Sequence, residues 1–166
     1  MNKKSILMDA TEKHFPAILE LNHDLVHFLS PLDMDSLTKL GNMAEIFKVV
    51  EVDGELVAFL ITVRENKPYG SVNYKWFLDK YEEFLYIDRV VVSQKYHHIG
   101  IGRLIYDEVI KHAKATGIKK ITAEIDIQPP NPISLKFHEM FGFKEVGKQV
   151  IYGGEKEVSL QMKELL

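Results

Sequence analysis

Apolar residues along this chain switch between two spacings, and each switch marks an element. Ile6 to Asp9 reads as a short first strand. Thr11 then offers a cap and Pro16 sits near a helix start, with Ile18, Leu21, Leu25, Phe28 and Leu29 as the apolar face and Ser30-Pro31 as the stop. A second helix is predicted over Asp35 to Met43. Ile46 to Val52 and Leu56 to Val63 are strands joined at Asp53-Gly54, a hairpin signal. Residues 65–83 are polar but carry Tyr69, Tyr74, Trp76, Phe77 and Tyr81, and read as a loop ending in a short helix. Residues 84–92 are a strand buried on both faces, and Ile101, Leu104, Ile105, Val109 and Ala113 mark one face of a helix that ends near Gly117. Ile118 to Ile127 is the next strand, broken by Gln128-Pro129-Pro130-Asn131-Pro132. Ile133 to Phe141 is a short helix stopped by Gly142. Phe143 to Tyr152 and Glu155 to Met162 form a last hairpin around Gly153-Gly154, a type I′ candidate. With no repeat or linker in view, the pattern predicts a single domain over residues 1–166, a mixed sheet with packed helices, α/β or α+β.

The stretch from Phe84 to Thr116 organises the rest. Between its strand and its helix lies His97-His98-Ile99-Gly100-Ile101-Gly102. The first N–H groups of a helix have no internal acceptor and carry partial positive charge. Glycines there permit positive φ and let a phosphate approach the backbone. The same residues also read as an ordinary strand-to-helix turn.

Composition narrows the function classes. At 166 residues, 46% hydrophobic and 27% charged, the chain can bury its own core like an ordinary globular protein. Net charge is −3 with no Lys/Arg block, so no nucleic-acid face is expected. No apolar run approaches the ~18 residues of a membrane span, and MNKKSILMDA lacks the apolar core of a signal peptide, so no membrane association is expected. The absence of cysteine removes disulfides, thiolate nucleophiles and Cys-ligated zinc, and fits a cytoplasmic location.

Three landmarks then fall in order: Val90-Val91-Val92; HHIGIG with Arg103; and Asn131-x-x-Ser134-x-x-Phe137-His138-x-x-x-Gly142-Phe143. Together they resemble the GNAT superfamily of N-acetyltransferases over essentially the whole chain, and an uncharacterised bacterial subgroup of it in particular. The resemblance implies a mostly antiparallel sheet of about seven strands, splayed between two parallel ones (residues 84–92 and 118–127), with about four flanking helices. It implies acetyl-CoA as acyl donor, its pantetheine pairing with the backbone of Val90, Val91 and Val92. The pyrophosphate would sit on N–H groups from His98 through Ile99, Gly100, Ile101 and Gly102 to Arg103, with a charge contact from Arg103. His97 stands where the family has Arg or Gln, a departure expected to weaken cofactor binding rather than abolish it.

The implied reaction is direct attack of a primary amine on the thioester in a ternary complex. An alkyl ammonium near pKa ~10.4 is neutral in only about one molecule per few thousand at pH 7, so a base must take its proton and an acid must protonate the leaving thiolate. Asp126, five residues before Asn131, stands where several relatives carry a Glu thought to be the base. Asp88 shares a strand face with Tyr86, Val90 and Val92 by period two, with Arg89 expected on the other face. Either acid also reads as a salt bridge or a solvated strand end. His138 stands where many relatives place a Tyr that protonates the CoA sulfur; it also reads as a hydrogen-bond partner of the sulfur or a surface histidine. Asn131 and Ser134 would contact the cofactor or cap the short helix.

Trp76, Tyr81 and Tyr152 are the acceptor-binding candidates; loop aromatics more often fold back onto a core. His23 and His27 have i, i+4 spacing, but no third ligand is evident and no metal site is expected. Dimers are common in the fold the chain resembles, and the last hairpin offers an edge for a homodimer. Three functions stand: an N-acetyltransferase acting on a small-molecule or peptide amine, a non-catalytic acyl-CoA-binding or sensor module, and a protein-interaction domain without CoA affinity.

Overall fold

The computed structural model describes residues 4–25 and 29–166; His27 and Phe28 of the first-helix reading lie outside them. The elements are β1 (Ser5–Asp9), α1 (Phe15–Asp24), α2 (Met34–Met43), β2 (Ile46–Val52), β3 (Glu55–Arg64), α3 (Val72–Lys80), β4 (Leu85–Val92), α4 (Ile101–Thr116), β5 (Lys120–Gln128), α5 (Pro132–Met140), β6 (Lys144–Ile151) and β7 (Lys156–Glu164). The strands form one mixed sheet of seven, ordered β1-β2-β3-β4-β5-β7-β6. β4 and β5 run parallel, paired at Leu85–Ile121 and Tyr86–Thr122. The β1–β2, β2–β3, β5–β7 and β6–β7 ladders are antiparallel.

The aromatic segment is a loop ending in a short helix, as its pattern predicts, and with α3 there are five α-helices among the described residues. The Ser71 hydroxyl accepts from Tyr74 N at the start of α3, a side-chain cap that the Pro68 and Gly70 around it obscure in the sequence. The last hairpin is not closed by a two-residue turn. Its final pair is Ile151–Lys156, and Tyr152, Gly153 and Gly154 all take positive φ (53°, 65° and 98°), so residues 152–155 make the connection. At the first hairpin, by contrast, Asp53 and Gly54 (φ 51° and 79°) join the paired Val52 and Glu55, as a type I′ turn requires.

Contacts divide the chain into two compact units. The first comprises Met1–Val63 and Asp88–Val109. Its interior holds Ile18, Leu37, Val49, Phe59, Ile61, Val91, Ile105 and Val109, all buried. Asp33 caps α2: its Oδ1 accepts from Ser36 N at 2.8 Å, and Ser36 Oγ accepts from Asp33 N at 3.0 Å.

The second unit comprises Arg64–Ile87 and Ile110–Leu166. Tyr74 and Phe77 of α3 are fully buried and pack on Phe84 and Tyr86, with ring centroids 5.6–6.2 Å apart. Each such burial contributes about 1.5–3 kcal/mol. The Tyr74 hydroxyl donates to Arg64 O at 2.6 Å and accepts from Lys67 N, which pins the loop before the helix. On its other side α3 lies over β6. Gln149 Nε2 donates to Asn73 Oδ1 at 3.0 Å, Lys80 Nζ donates to Val146 O at 3.2 Å, and the Trp76 indole lies over Gly147. Gly147 pairs with Leu160 and Gln149 with Val158; those residues in turn pair with Glu124 and Asp126. Cross-strand partners share a face, so α3 covers the sheet face that carries Glu124 and Asp126.

A Cβ at Gly147 would stand 2.4 Å from Trp76 Cζ2. Gly147→Ala is therefore expected to destabilise the protein by about 1–3 kcal/mol in urea melts, and Trp76→Leu in the same chain to recover most of that loss.

Candidate active site

In the first unit the site is built by β4 and the turn that follows it. Burial alternates along the strand: Arg89 and Val91 are buried, while Asp88, Val90 and Val92 are half-buried. Ser93 N then donates to Val57 O at 2.8 Å and the Tyr96 hydroxyl donates to Glu55 Oε2 at 2.7 Å, tying the turn to β3. The His97 ring meets Val92 O through Nε2 at 3.1 Å, so that nitrogen carries the proton. His98 and Gly100 take φ of 67° and 89°, after which α4 starts at Ile101, a buried anchor. His97, His98, Ile99, Gly100 and Arg103 are exposed, Gly102 is half-buried, and a Cβ at Gly100 would meet nothing within 4 Å. The backbone of this reversal is thus open on its outer side, as an anion approaching the helix N-terminus requires.

Arg89 does not turn away from Asp88 as period two predicts. Its long side chain folds back, so that Nε donates to Asp88 Oδ2 at 3.2 Å while Nη1 donates to Asn22 Oδ1 at 3.0 Å and to Ser30 O at 2.6 Å. Asn22, itself buried, donates to Ser30 O as well. A guanidinium taken from water needs such partners, and here they hold the Asp88 carboxylate to the end of α1.

In the second unit β5, α5 and β7 bring other candidates together. Asp126 Oδ2 forms an ion pair with Lys156 Nζ at 3.0 Å, both largely buried. Asp126 O accepts from Asn131 N at 3.0 Å, and Asn131 Oδ1 accepts from Ser134 N at 3.3 Å, so Asn131 caps α5. One turn on, His138 is 6% exposed and stands edge-on to Phe143. Its Nδ1–H donates to Ser134 O at 2.7 Å, with Ser134 Oγ 3.4 Å away. Burial pushes its pKa below the ordinary histidine value, opposed by the Ser134 carbonyl, so the imidazole is neutral at pH 7. The charged form considered for thiolate protonation is disfavoured.

Of the acceptor candidates, Trp76 packs on Gly147 with Lys80 Nζ 5.0 Å from its ring centroid. Tyr81 stacks on Phe77 with its phenol pKa pushed up, first by burial and then by Glu164, and Tyr152 stands exposed on the last connection. The sequence reading passed over Glu124. Its carboxylate accepts hydrogen bonds from the Tyr86 hydroxyl at 2.8 and 2.7 Å, and it lies two residues before Asp126 on the same face. That spacing was the available signal. Among the described residues no cluster of metal-ligating side chains is found, and no helix is long and apolar enough to cross a membrane.

The profile of the acetyltransferase (GNAT) family matches residues 7–143. The chain belongs to the GNAT acetyltransferase family. It is an acyltransferase of a family that uses acetyl-CoA. Similar solved structures include Ard1 from Thermoplasma volcanium, with a TM-score of 0.80 at 12% identity over 98% of each chain. Naa50 from Arabidopsis thaliana, in complex with the bisubstrate analogue CoA-Ac-MVNAL, has a TM-score of 0.75 at 19% identity over 97% of this chain and 99% of that one. A ribosomal-protein-alanine N-acetyltransferase from Brucella melitensis has 0.74 at 21% identity over 96% and 99%. At these identities the likeness is one of fold, and it extends to the parallel β4–β5 pair of this acetyltransferase.

The burial of His138 sets a pH dependence. The unfolded histidine binds its proton near pH ~6.5 and the folded one only at lower pH. Between those values the unfolded state holds more protons, so stability rises with pH. The contribution is complete above about 6.5 and is lost as pH falls through the folded value. Urea melts at a series of pH values should show this slope in the wild type and a flatter one in His138→Gln, which keeps a donor for Ser134 O.

Proposed function

We propose that this acetyltransferase holds acetyl-CoA along β4 and the reversal into α4, and passes the acetyl group to a primary amine of a small molecule or peptide. The observation that carries the reading is the open turn with positive φ at His98 and Gly100, leading into the start of α4. In the proposal the backbone of Val90, Val91 and Val92 pairs with the pantetheine amides as an added strand would. N–H groups from His98 to Arg103 meet the pyrophosphate, and Arg103 adds charge. His97 acts through its hydrogen bond to Val92 O, holding the turn in shape.

The amine attacks the thioester directly, without an acyl-enzyme. Asp88 and Asp126 are the carboxylates that the sequence nominates for the proton, and each already holds a cation. Neutral His138 serves as a hydrogen-bond partner of the CoA sulfur, and Asn131 and Ser134 hold α5 in place for it. The α3 segment with Trp76 and Tyr81, together with Tyr152, shapes the acceptor side. The bisubstrate analogue bound to Naa50 joins CoA to a peptide, which supports including peptide N-termini among the acceptors. The absence of cysteine fits a cytoplasmic setting, and a second copy would pair along β6, an edge strand.

A non-catalytic acyl-CoA sensor is favoured by one observation, the neutral burial of His138. Thiol-reagent detection of CoA release across polyamines, amino acids, aminoglycosides and peptides separates the two. The enzyme releases CoA with at least one acceptor; binding by calorimetry without release in every case supports the sensor. Gly100→Val is expected to weaken acetyl-CoA binding by about tenfold, about 1.4 kcal/mol, because a β-branched residue at φ 89° must reshape the turn. Unchanged affinity in the folded variant contradicts the cradle.

A further inference from the structure

We infer that Glu124, oriented by Tyr86, is the carboxylate that takes the proton from the acceptor ammonium; the inference rests on the transferase reading above. Three observations within the second unit carry it. The Tyr86 hydroxyl lies 2.8 and 2.7 Å from the two oxygens of Glu124 and donates to them. The Tyr86 ring is fully buried against Tyr74 and Phe77, so its hydroxyl has a fixed position. Tyr86 is also the last β4 residue of the parallel pairing, opposite Thr122, and Glu124 stands two residues further along β5. Just beyond the Tyr86–Thr122 pair, a side-chain hydrogen bond joins the two strands. Glu124 is half-buried and shares its face with Asp126 beneath α3.

Asp88 and Asp126, the two carboxylates that the sequence nominates, lie on Arg89 at 3.2 Å and on Lys156 at 3.0 Å. Protonating one oxygen of Glu124 leaves the Tyr86 hydroxyl hydrogen-bonded to the other. In the step, one N–H proton of the ammonium passes to Glu124 and the freed lone pair forms the C–N bond to the acetyl carbon. The C–S bond breaks with its electrons on sulfur. A second amine proton ends on the CoA thiolate, and Glu124 returns its proton to water. Tyr86 is a positioning residue here, and Glu124 the catalytic one.

The test uses the full chain, acetyl-CoA and whichever acceptor of the panel releases CoA fastest. Glu124→Gln keeps an oxygen for the Tyr86 hydroxyl but cannot take the proton. It should bind acetyl-CoA as the wild type does by calorimetry and lose about 100-fold in kcat/KM near pH 7. The deficit should shrink as pH rises toward the acceptor's own pKa, where the amine is already neutral. Tyr86→Phe keeps the packing and should lose about tenfold, with the acid limb of the pH profile displaced. A folded Glu124→Gln within about twofold of wild type, or one whose deficit is the same at every pH, overturns the inference. So does a pH-relieved loss in Asp126→Asn or Asp88→Asn but not in Glu124→Gln. A wild type that binds acetyl-CoA but acetylates nothing fails earlier, at the transferase reading, and takes the inference with it.

Discussion

The passage from β4 into α4 is the constraint on which the site depends. A strand with Val91 buried must become a helix with Ile101 and Ile105 buried, and the chain has only residues 93–100 in which to reverse. It does so by taking positive φ at His98 and Gly100, after two tethers to β3, one from Ser93 N and one from the Tyr96 hydroxyl. With both ends anchored in apolar packing, the turn between them stands exposed, His97, His98, Ile99 and Gly100 included.

Three half-buried carboxylates, Asp88, Asp126 and Glu124, have partners that differ in kind. Asp88 lies on Arg89, whose guanidinium is also held by Asn22 and by the carbonyl of Ser30. Asp126 lies on Lys156, and Glu124 accepts from a phenol. Removing a carboxylate from water is unfavourable unless its oxygens are hydrogen-bonded, so all three arrangements satisfy folding. Burial among aromatic rings, in turn, keeps His138 neutral.

Helix α3 links packing to chemistry. Its inner face completes an aromatic core with Phe84 and Tyr86, and its far side closes over β6 at a glycine. The same helix therefore fixes the ring that positions Glu124 and roofs the sheet face on which Glu124 and Asp126 lie. The aromatics at 74 and 77 fold back onto the core, and Trp76 packs on Gly147.

Much of the architecture was legible from periodicity. β2 was placed to the residue, the boundaries of β4, α2, α4 and α5 follow from apolar spacing and from Pro and Gly punctuation, and HHIGIG located the reversal. These are local properties, decided by propensity and by the sign of φ, and a sequence carries them directly. What it did not carry was which side chains meet across strands. The contact between neighbours Asp88 and Arg89, the Lys156 partner of Asp126, and Tyr86 on Glu124 across 38 residues of chain depend on register, on the reach of long side chains and on which helix covers which face. Alternation put Glu124 on the same face as Asp126, but only the parallel pairing of β4 with β5 brings a phenol to it. That pairing brings together distant segments through backbone groups common to nearly every residue, and so leaves little local mark in the sequence.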